Sequence, residues 1–478
     1  MKSLVTYARR YPDTRKIIRI RRKIHVIHLI LLIVVLPVIE ACTGTSSSTL
    51  TSASTTMITP VSYSEDDWPT YHRDLARSGF DSEMSLNGSL NHLWTSESLD
   101  GDIYAEPLVV GERVLVATEQ NSVYSIDAMS GKLQWQVSLG TPVPLADLGC
   151  GDIDPSGITS TPVADPGTGH LYVVARIQPN HHELFVLNIQ NGTVLSHRPI
   201  DPTGADPRFQ QQRSALVLSN GKVYVAFGGL FGDCGSYYGW LVGVPAEGNG
   251  QLLYYRVSSQ RGCGLWAPSG PAVDGAGNIY VTSGNGFSGS SFDYGNSVIR
   301  LSPVLSLTDW FAPNNWQQLN TSDTDLGSMG PILLQGALIF QAGKEGKGYL
   351  LRTDNLGHIG NEVFSGPIGQ GAFGGAAYAP PYIFVPCSNG LVALRIDSTP
   401  AFKVAWSSPN FSAGPPVVAG GTVLTVDIDS GILYAFSVDK GSITSKVSLG
   451  PVEHFTTPTL SNGRVFVAAG RQIVSLGS

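Results

Sequence analysis

Residues 161–175 read TPVADPGTGHLYVVA, and variants of this phrase recur along the chain from residue 106 to the C-terminus. Each copy has a small residue or proline, a few apolar residues, a tight turn with Gly, Asn or Asp, and a run rich in Val, Ile, Tyr and Phe. A period of 40 to 60 residues with β-forming side chains is typical of four-stranded propeller blades, because helical solenoids would carry helix formers instead. The sequence therefore predicts an all-β, eight-bladed β-propeller, whose repeats are anchored at residues 107, 162, 215, 271, 331, 376, 416 and 458.

The last repeat is incomplete, and this predicts how the ring closes. It ends at Ser478 after segments for only three strands, while residues 92–97 (HLWTSE) resemble the outer-strand segment 133–138 (LQWQVS). A strand from upstream of the first repeat can therefore complete the eighth blade. Such closure removes the open sheet edges on which other chains could assemble.

The first 42 residues are predicted to be a signal peptide and not part of the propeller. Nine Lys and Arg residues precede the apolar run 24–39, which is short for a membrane span. The sequence Ile39-Glu40-Ala41-Cys42 then resembles a bacterial lipobox, in which the cysteine is acylated, although a glutamate is unusual there. An uncleaved signal anchor is the alternative. Both place the rest of the chain on the extracytoplasmic face of the cell membrane, with the Ser/Thr-rich residues 43–66 as a tether and residues 67–478 as the propeller.

The distribution of charge excludes one class of partner. Residues 1–41 carry a net charge of +7 and the whole chain carries −7, so the remainder carries −14. Nucleic-acid binding requires a basic surface, and an acidic propeller lacks one. We therefore expect no nucleic-acid partner.

Four cysteines besides Cys42 would lie in an oxidising compartment, which favours disulfides. They are Cys150, Cys234, Cys263 and Cys387, and they allow three pairings. Cys234 and Cys263 flank one repeat junction, so this pair is the preferred prediction.

A blade motif connects the sequence to a known family. The segment from Ser125 to Trp135 has Asp127 and Gly131 in its turn, and it resembles the tryptophan-docking motif of pyrroloquinoline quinone (PQQ) repeat proteins. The Asp and Gly shape the turn between the outer strands, and we expect Trp135 to pack on the neighbouring blade. The resemblance covers residues 67–478.

Within that family, quinoprotein alcohol dehydrogenases hold PQQ and a calcium ion on the propeller axis. Trp266 resembles the tryptophan that stacks on their quinone, and Lys344 resembles the lysine near the quinone carbonyls. Asp323 and Asp325 resemble the segment that supplies the catalytic base. The resemblance thus implies oxidation of an alcohol, with Asp325 or Asp323 accepting its proton.

The same resemblance implies a metal site. Asn285 in TSGNG resembles the asparagine that coordinates calcium, and Asp233 in GGLFGDCG lies near an acidic ligand position. Oxygen donors of this type suit calcium. Polyvinyl-alcohol-dehydrogenase-type propellers are also similar in this stretch.

Two departures from the dehydrogenase pattern favour a second hypothesis. The chain has no adjacent Cys-Cys pair, which many of these dehydrogenases place against the quinone. It also has no haem-attachment C-x-x-C-H sequence, so a dehydrogenase of this kind would need a separate electron carrier. The alternative is a non-catalytic propeller lipoprotein that binds an envelope protein or another ligand as a scaffold.

Overall fold

Eight β-sheets follow one another along the chain in the computed structural model of the protein, which describes residues 64–86, 88–258 and 260–478. Each sheet is built around four antiparallel strands, and this confirms the eight-bladed propeller. The signal peptide, Cys42 and tether residues 43–63 lie outside the described residues, so those predictions stay predictions. None of the helices in the described part of the chain is long and apolar enough to cross a membrane.

Strands account for most of the regular structure. Two of them precede the first blade, β1 (Phe80–Asp81) and β2 (Asn91–Thr95). Blades 1 to 4 then use β3 (Leu108–Val110), β4 (Arg113–Ala117), β5 (Ser122–Asp127), β6 (Leu133–Ser138), β7 (Val163–Asp165), β8 (His170–Ile177), β9 (His181–Asn188), β10 (Val194–Pro199), β11 (Gln210–Gln211), β12 (Val217–Ser219), β13 (Lys222–Gly229), β14 (Trp240–Pro245), β15 (Leu253–Arg256), β16 (Ala272–Val273), β17 (Ile279–Thr282), β18 (Val298–Leu301) and β19 (Leu307–Ala312).

The second half continues the pattern. Its strands are β20 (Ile332–Leu334), β21 (Leu338–Ala342), β22 (Lys347–Arg352), β23 (His358–Ile359), β24 (Phe364–Pro367), β25 (Ala377–Ala379), β26 (Tyr382–Cys387), β27 (Gly390–Ile396), β28 (Phe402–Ser407), β29 (Val417–Ala419), β30 (Thr422–Asp427), β31 (Ile432–Ser437), β32 (Ile443–Ser448), β33 (Thr459–Ser461), β34 (Arg464–Ala469) and β35 (Gln472–Gly477). One α-helix, α1 (Trp316–Thr321), follows β19, and 3₁₀ turns occupy Leu145–Asp147, Pro207–Phe209 and Leu326–Ser328.

Each blade is a meander whose first strand lies at the axis. Contacts between first strands join β33, β3, β7 and β12 in one run, and β16, β20, β25, β29 and β33 in another. Three blades carry an extra strand, since β11 pairs with β13, β23 pairs in parallel with β19, and β1 pairs in parallel with β29. The predicted closure is confirmed, because β2 pairs antiparallel with β35 and completes blade 8.

The core is divided among the spaces between blades. Along β4, Val114 and Val116 pack in the cluster that includes blade 8, whereas Leu115 and Ala117 pack in the cluster shared with blade 2. Successive side chains of a strand point to opposite faces of the sheet. Both faces are covered by neighbouring blades, and this explains why the repeats are continuous apolar runs and do not alternate with polar residues.

Tryptophan docking ties the blades together as the motif predicts. The indole Nε1 of Trp135 donates to the backbone oxygen of Ile189 in blade 2 at 3.0 Å. Trp94, on the closing strand β2, reaches the backbone oxygen of Ala128 in blade 1 at 3.1 Å. Gly131 has a φ of +72°, and a Cβ there would lie 2.6 Å from the Trp94 ring, so glycine is required by both conformation and space.

Residues 67–81, which we call the plug, line the inside of the ring. Trp68 exchanges two backbone hydrogen bonds with Val109 of blade 1. The plug then contacts blades 2 to 7 in turn. Its backbone oxygens accept hydrogen bonds from the backbone nitrogens of Ala164, Val273, Leu333, Tyr378 and Val418. Blade 3 is contacted by the Arg77 side chain, which donates to Leu216 O.

The plug fixes which end of the axis is closed. Asp67 Oδ1 accepts a hydrogen bond from Gly111 N, in the turn between the first and second strands of blade 1, and Asp81 O accepts one from Gly420 N in the same turn of blade 7. We call this end the plugged mouth. At the opposite end, the open mouth, the chain enters each first strand, and the second strand connects to the third.

Candidate functional site

The open mouth contains a cavity of about 640 Å³. This lies within the size range of small-molecule and cofactor sites. Its walls come from blades 2 to 6 and from the loop that enters blade 8. All six residues that the sequence singled out for catalysis, cofactor or metal line it: Asp233, Trp266, Asn285, Asp323, Asp325 and Lys344.

Local strand connections aim these side chains at the axis. Trp266 and Asp325 lie on the loops that enter blades 4 and 5, whereas Asn285 and Lys344 follow the second strands β17 and β21. These two kinds of connection share one end of an antiparallel meander. Residues distant in sequence therefore meet at the open mouth.

An ion pair between Lys344 and Asp325 forms the centre of the site. Lys344 Nζ lies 2.5 Å from Asp325 Oδ2 and 3.6 Å from Asp323 Oδ1. The backbone of Lys344 also donates to Asp325 O at 2.9 Å, and Asn285 N donates to Asp325 Oδ1 at 2.6 Å. The Asp325 carboxylate is thus held rigidly from two blades.

Burial and charge shift the pKa values of this pair. Asp325 is 3% exposed, and its burial raises the pKa of the carboxyl, although Lys344 acts in the opposite direction. Burial also acts on Lys344, where it would lower the pKa of the ammonium, but the charges and hydrogen bonds of Asp325 and Asp323 outweigh it and raise that pKa. The result is a charged lysine beside a carboxylate of increased basicity.

Trp266 forms the aromatic side of the cavity. It is half-buried and not enclosed between sheets, and Lys344 Nζ lies 5.7 Å from the centroid of its ring. Gly284 allows this close arrangement, because a Cβ there would lie 2.6 Å from Asp325 Oδ1 and 3.0 Å from Trp266 Nε1. The indole, the ammonium and the buried carboxylate therefore occupy one corner of the cavity.

Of the two side chains predicted to bind calcium, Asp233 is engaged elsewhere, whereas Asn285 is bonded to Asp325 only through its backbone nitrogen. Asp233 is exposed and accepts a hydrogen bond from Tyr237 Oη at 2.6 Å, while the Asp325 oxygens are occupied by Lys344 and Asn285. No group of three or more His, Cys, Asp or Glu side chains in the described residues is arranged to hold a metal ion. In this arrangement the residues do not fit a calcium ion, which needs several free oxygen donors. The cavity and its indole do fit a planar quinone.

The predicted pairing of Cys234 with Cys263 is wrong. Cys234 is bonded to Cys150, with a Cα–Cα distance of 6.1 Å. Cys263 is fully buried against blade 4 with its Sγ 3.8 Å from Asp293 O, so its side chain points away from the loop that carries Cys234. The bond instead joins the loop entering blade 2 to the Asp233 loop of blade 3, and it fixes the rim of the cavity.

Phe231 and Arg213 are among the cavity residues that were missed in the sequence. Phe231 is 71% exposed at the rim, and Arg213 lies on the loop entering blade 3. Arg213 comes two residues before the anchor of the third repeat, and Trp266 lies five residues before the next anchor. The position of Arg213 just before an anchor, like that of Trp266, is the sequence signal that could have identified it.

Comparison with known proteins agrees with this architecture. A family model described as outer membrane protein assembly factor BamB, of the PQQ-repeat type, matches residues 75–230. The solved structure of the quinohemoprotein alcohol dehydrogenase ADHIIG from Pseudomonas putida is similar with a TM-score of 0.70 and 14% identity, over 86% of this chain and 80% of that one. The chain is an eight-bladed β-propeller, and residues 75–230 are similar to PQQ-repeat proteins.

Other solved propellers differ in function. A europium-containing methanol dehydrogenase is similar with a TM-score of 0.65 and 15% identity, over 85% of this PQQ-like propeller and 90% of that chain. BamB from Moraxella catarrhalis is similar with a TM-score of 0.55 and 14% identity, over 81% and 98%. A search of the curated proteins by sequence finds no match. Likenesses at such low identity establish the fold, while the function depends on the site.

Proposed function

We propose that this PQQ-like propeller is an extracytoplasmic, membrane-tethered dehydrogenase that binds PQQ in the open-mouth cavity and oxidises an alcohol. The observation that carries the proposal is that the residues identified by sequence motifs, from blades 3, 4 and 5, line one cavity. Among them are an indole, a cation and a buried carboxylate held by two blades. A site of this composition suits a planar quinone and an alcohol.

Each residue of the site has a separate role in the reaction. Trp266 supports the flat cofactor from one side of the cavity. A bound quinone supplies the two-electron acceptor for the hydride that leaves the alcohol carbon. Asp325 accepts the hydroxyl proton, since its buried carboxylate is more basic than an exposed one. Lys344 stabilises the negative charge that develops beside it during the reaction. The oxidised product, in which the alcohol has become a carbonyl group, then leaves the site.

The positive charge next to Asp325 comes from Lys344. A dehydrogenase using this arrangement would pass its electrons to a separate carrier, because the chain has no haem-attachment sequence. Its location outside the cytoplasm is supported by the basic, then apolar N-terminal sequence and by the match to an outer-membrane assembly family.

Reconstitution of the full chain tests this function. PQQ is added with and without calcium, binding is followed by the quinone absorption band, and alcohol-dependent reduction of an added electron acceptor is measured. Asp325→Asn should bind PQQ but lose about 10²- to 10⁴-fold in rate, as expected for removal of a general base. Asp354→Asn is the matched control, because Asp354 is exposed and pairs only with Arg352. Saturable PQQ binding without any turnover, or no binding at all, would reject the dehydrogenase.

Exposed aromatic side chains at the open mouth favour a second candidate, a scaffold for an envelope protein. Phe231 is 71% exposed and Phe287 is 49% exposed, and Arg261 stacks on Phe287 at 4.0 Å. Aromatic and arginine side chains commonly dominate protein interfaces. The likeness to BamB extends over most of both chains. A propeller that binds no PQQ but loses a co-purifying envelope protein on Phe231→Ser would support this candidate.

A further inference from the structure

Arg213 lies where the cavity reaches the propeller axis. It lines both the open-mouth cavity and a small deeper pocket that ends at Tyr71 of the plug and at Glu106. Its loop is fixed against blade 4, since Ser214 Oγ donates to Leu265 O at 3.0 Å and Ala215 N donates to Pro268 O at 2.9 Å. The backbone that carries the Arg213 side chain is therefore held in place beside the cavity.

The guanidinium of Arg213 has no polar partner of its own. Among the described residues it donates no hydrogen bond and forms no ion pair within 4.0 Å, and its nearest specific contact is the Phe455 ring at 5.5 Å. Arg77 provides the contrast, because its guanidinium in the plug donates four hydrogen bonds. Arg213 is half-buried on the cavity wall, so its unpaired guanidinium is available to an anion that enters the cavity.

The charged groups that face Arg213 leave room for that anion. Asp152 on the cavity wall is exposed to solvent, and Glu119 is buried with its Oε2 held by Gly157 N at 2.6 Å. Both act on Arg213 electrostatically without contacting it, while burial lowers the pKa of its guanidinium. An arginine stays charged even so.

We propose that Arg213 binds a carboxylate of the ligand held in the open-mouth cavity. The ligand is then an organic anion, with its carboxylate at Arg213 and its other end between Trp266 and Lys344. A planar guanidinium offers parallel N–H donors that match a carboxylate in a bidentate pair. The inference rests on the proposed function for the nature of the ligand, since PQQ is itself a polycarboxylate, but the anion site can be tested without a quinone.

The test uses a flat tricarboxylate that has no quinone. Trimesate and its uncharged triamide are titrated into the full chain at fixed ionic strength, with calorimetry and melting temperature as readouts. Trimesate should bind and raise the melting temperature of the parent, and the triamide should do neither. In Arg213→Gln, trimesate should bind about 10- to 100-fold more weakly, the range expected for losing a charge-assisted hydrogen bond.

Two further variants keep the test decisive. Arg208→Gln is the matched control, because Arg208 lies nearby in sequence but is exposed and pairs with Asp206, so trimesate affinity should be unchanged. Arg213→Lys keeps the charge without the planar fork, and it should bind trimesate with an affinity between those of the parent and Arg213→Gln. If Arg213→Gln does not fold, equal affinity in the parent and Arg213→Lys would overturn the proposal.

The remaining outcomes separate the anion site from the quinone function. Absence of trimesate binding to the parent, equal binding of the triamide, or equal affinity in Arg213→Gln would each overturn the anion site. PQQ binding that is unaffected by Arg213→Gln would also overturn it while leaving the dehydrogenase intact. Trimesate binding that depends on Arg213 in a protein that does not bind PQQ would support the anion site and reject the quinone function.

Discussion

The plug and the open-mouth cavity use the same kinds of side chain in opposite ways. In the plug, Arg77 is 1% exposed and each nitrogen of its guanidinium has an acceptor. At the open mouth, Arg213 faces a cavity without an acceptor, and Lys344 and Asp325 neutralise each other beside open space. The first arrangement is complete in itself, and the second leaves room for a ligand. Stability is therefore expected to depend mainly on the plug and function on the open mouth.

The largest effect on stability is expected from Arg77→Leu in the plug. The substitution leaves three backbone carbonyls and the Thr70 hydroxyl without their donor in a buried region. We expect the free energy of unfolding to fall by about 3–5 kcal/mol, measured by denaturant titration. Arg208→Leu, at an exposed site, should change it by less than about 0.5 kcal/mol. Equal losses in the two variants would contradict the assignment of stability to the plug.

The second effect concerns two buried glutamates. Both oxygens of Glu106 are bonded to the plug, to Trp68 Nε1 and His72 N, whereas Glu119 at the open mouth has an oxygen, Oε1, without a partner. Burial raises the pKa of Glu119 from 4.5 to about 7. Because the folded-state pKa lies above the unfolded one, the stability that the protonated carboxyl contributes is complete below about pH 4.5 and is lost as the pH rises to about 7.

The substitution Glu119→Gln tests this predicted loss of stability with rising pH. Glutamine keeps the shape of the protonated acid and does not titrate. Relative to the parent, the free energy of unfolding of the variant should increase between about pH 4.5 and pH 7 by on the order of 3 kcal/mol. Chemical unfolding of both proteins across this pH range is the measurement. A parent-to-variant difference that stays constant with pH would show that Glu119 is already ionised in the folded protein.

The Lys344–Asp325 pair should give a smaller coupling. In a double-mutant cycle of Lys344→Met and Asp325→Asn, measured by the free energy of unfolding, we expect a coupling energy of about 1–3 kcal/mol. The coupling is moderate because Asp325 is buried but Lys344 is partly exposed. Removing Lys344 also frees the carboxylate, so calcium should raise the melting temperature of Lys344→Met more than that of the parent. A parent that calcium stabilises as strongly as Lys344→Met would reinstate the calcium site predicted from the sequence.

The sequence predicted the structural features that recur in every blade, but it predicted few of the features that occur once in the molecule. Eight blades, the closing strand and the tryptophan docking all follow from local patterns that recur, and the convergence of Trp266, Asn285 and Lys344 follows from their equivalent places in the repeats. The plug is a single segment whose path depends on left-handed backbone at His72, Arg73 and Arg77, where glycine would have been the usual signal.

Long-range contacts at the rim were beyond the sequence for a different reason. The choice of Cys150 over Cys263 as the partner of Cys234 depends on how two separate loops approach each other at the mouth. The engagement of Asp325 by Lys344 likewise depends on a distance across blade 5 and not on residue type. The types of residue at the site therefore suit a calcium ion, but the contacts that Asp325 and Asp233 already make do not.

The smallest effect on stability should come from Phe231→Ser at the rim of the open mouth. Because this side chain is 71% exposed, its loss should change the free energy of unfolding by less than about 0.5 kcal/mol. Its effect on binding distinguishes the two proposed functions: a dehydrogenase that uses Phe231 to cover its ligand would show a higher KM or weaker PQQ binding, while a scaffold would lose its protein partner and leave PQQ titrations unchanged. Phe287→Ser, also at this mouth and also exposed, is the comparison variant. If both substitutions leave ligand affinity and partner binding unaltered, the exposed aromatic rim has neither role, and function at the open mouth is confined to the cavity below it.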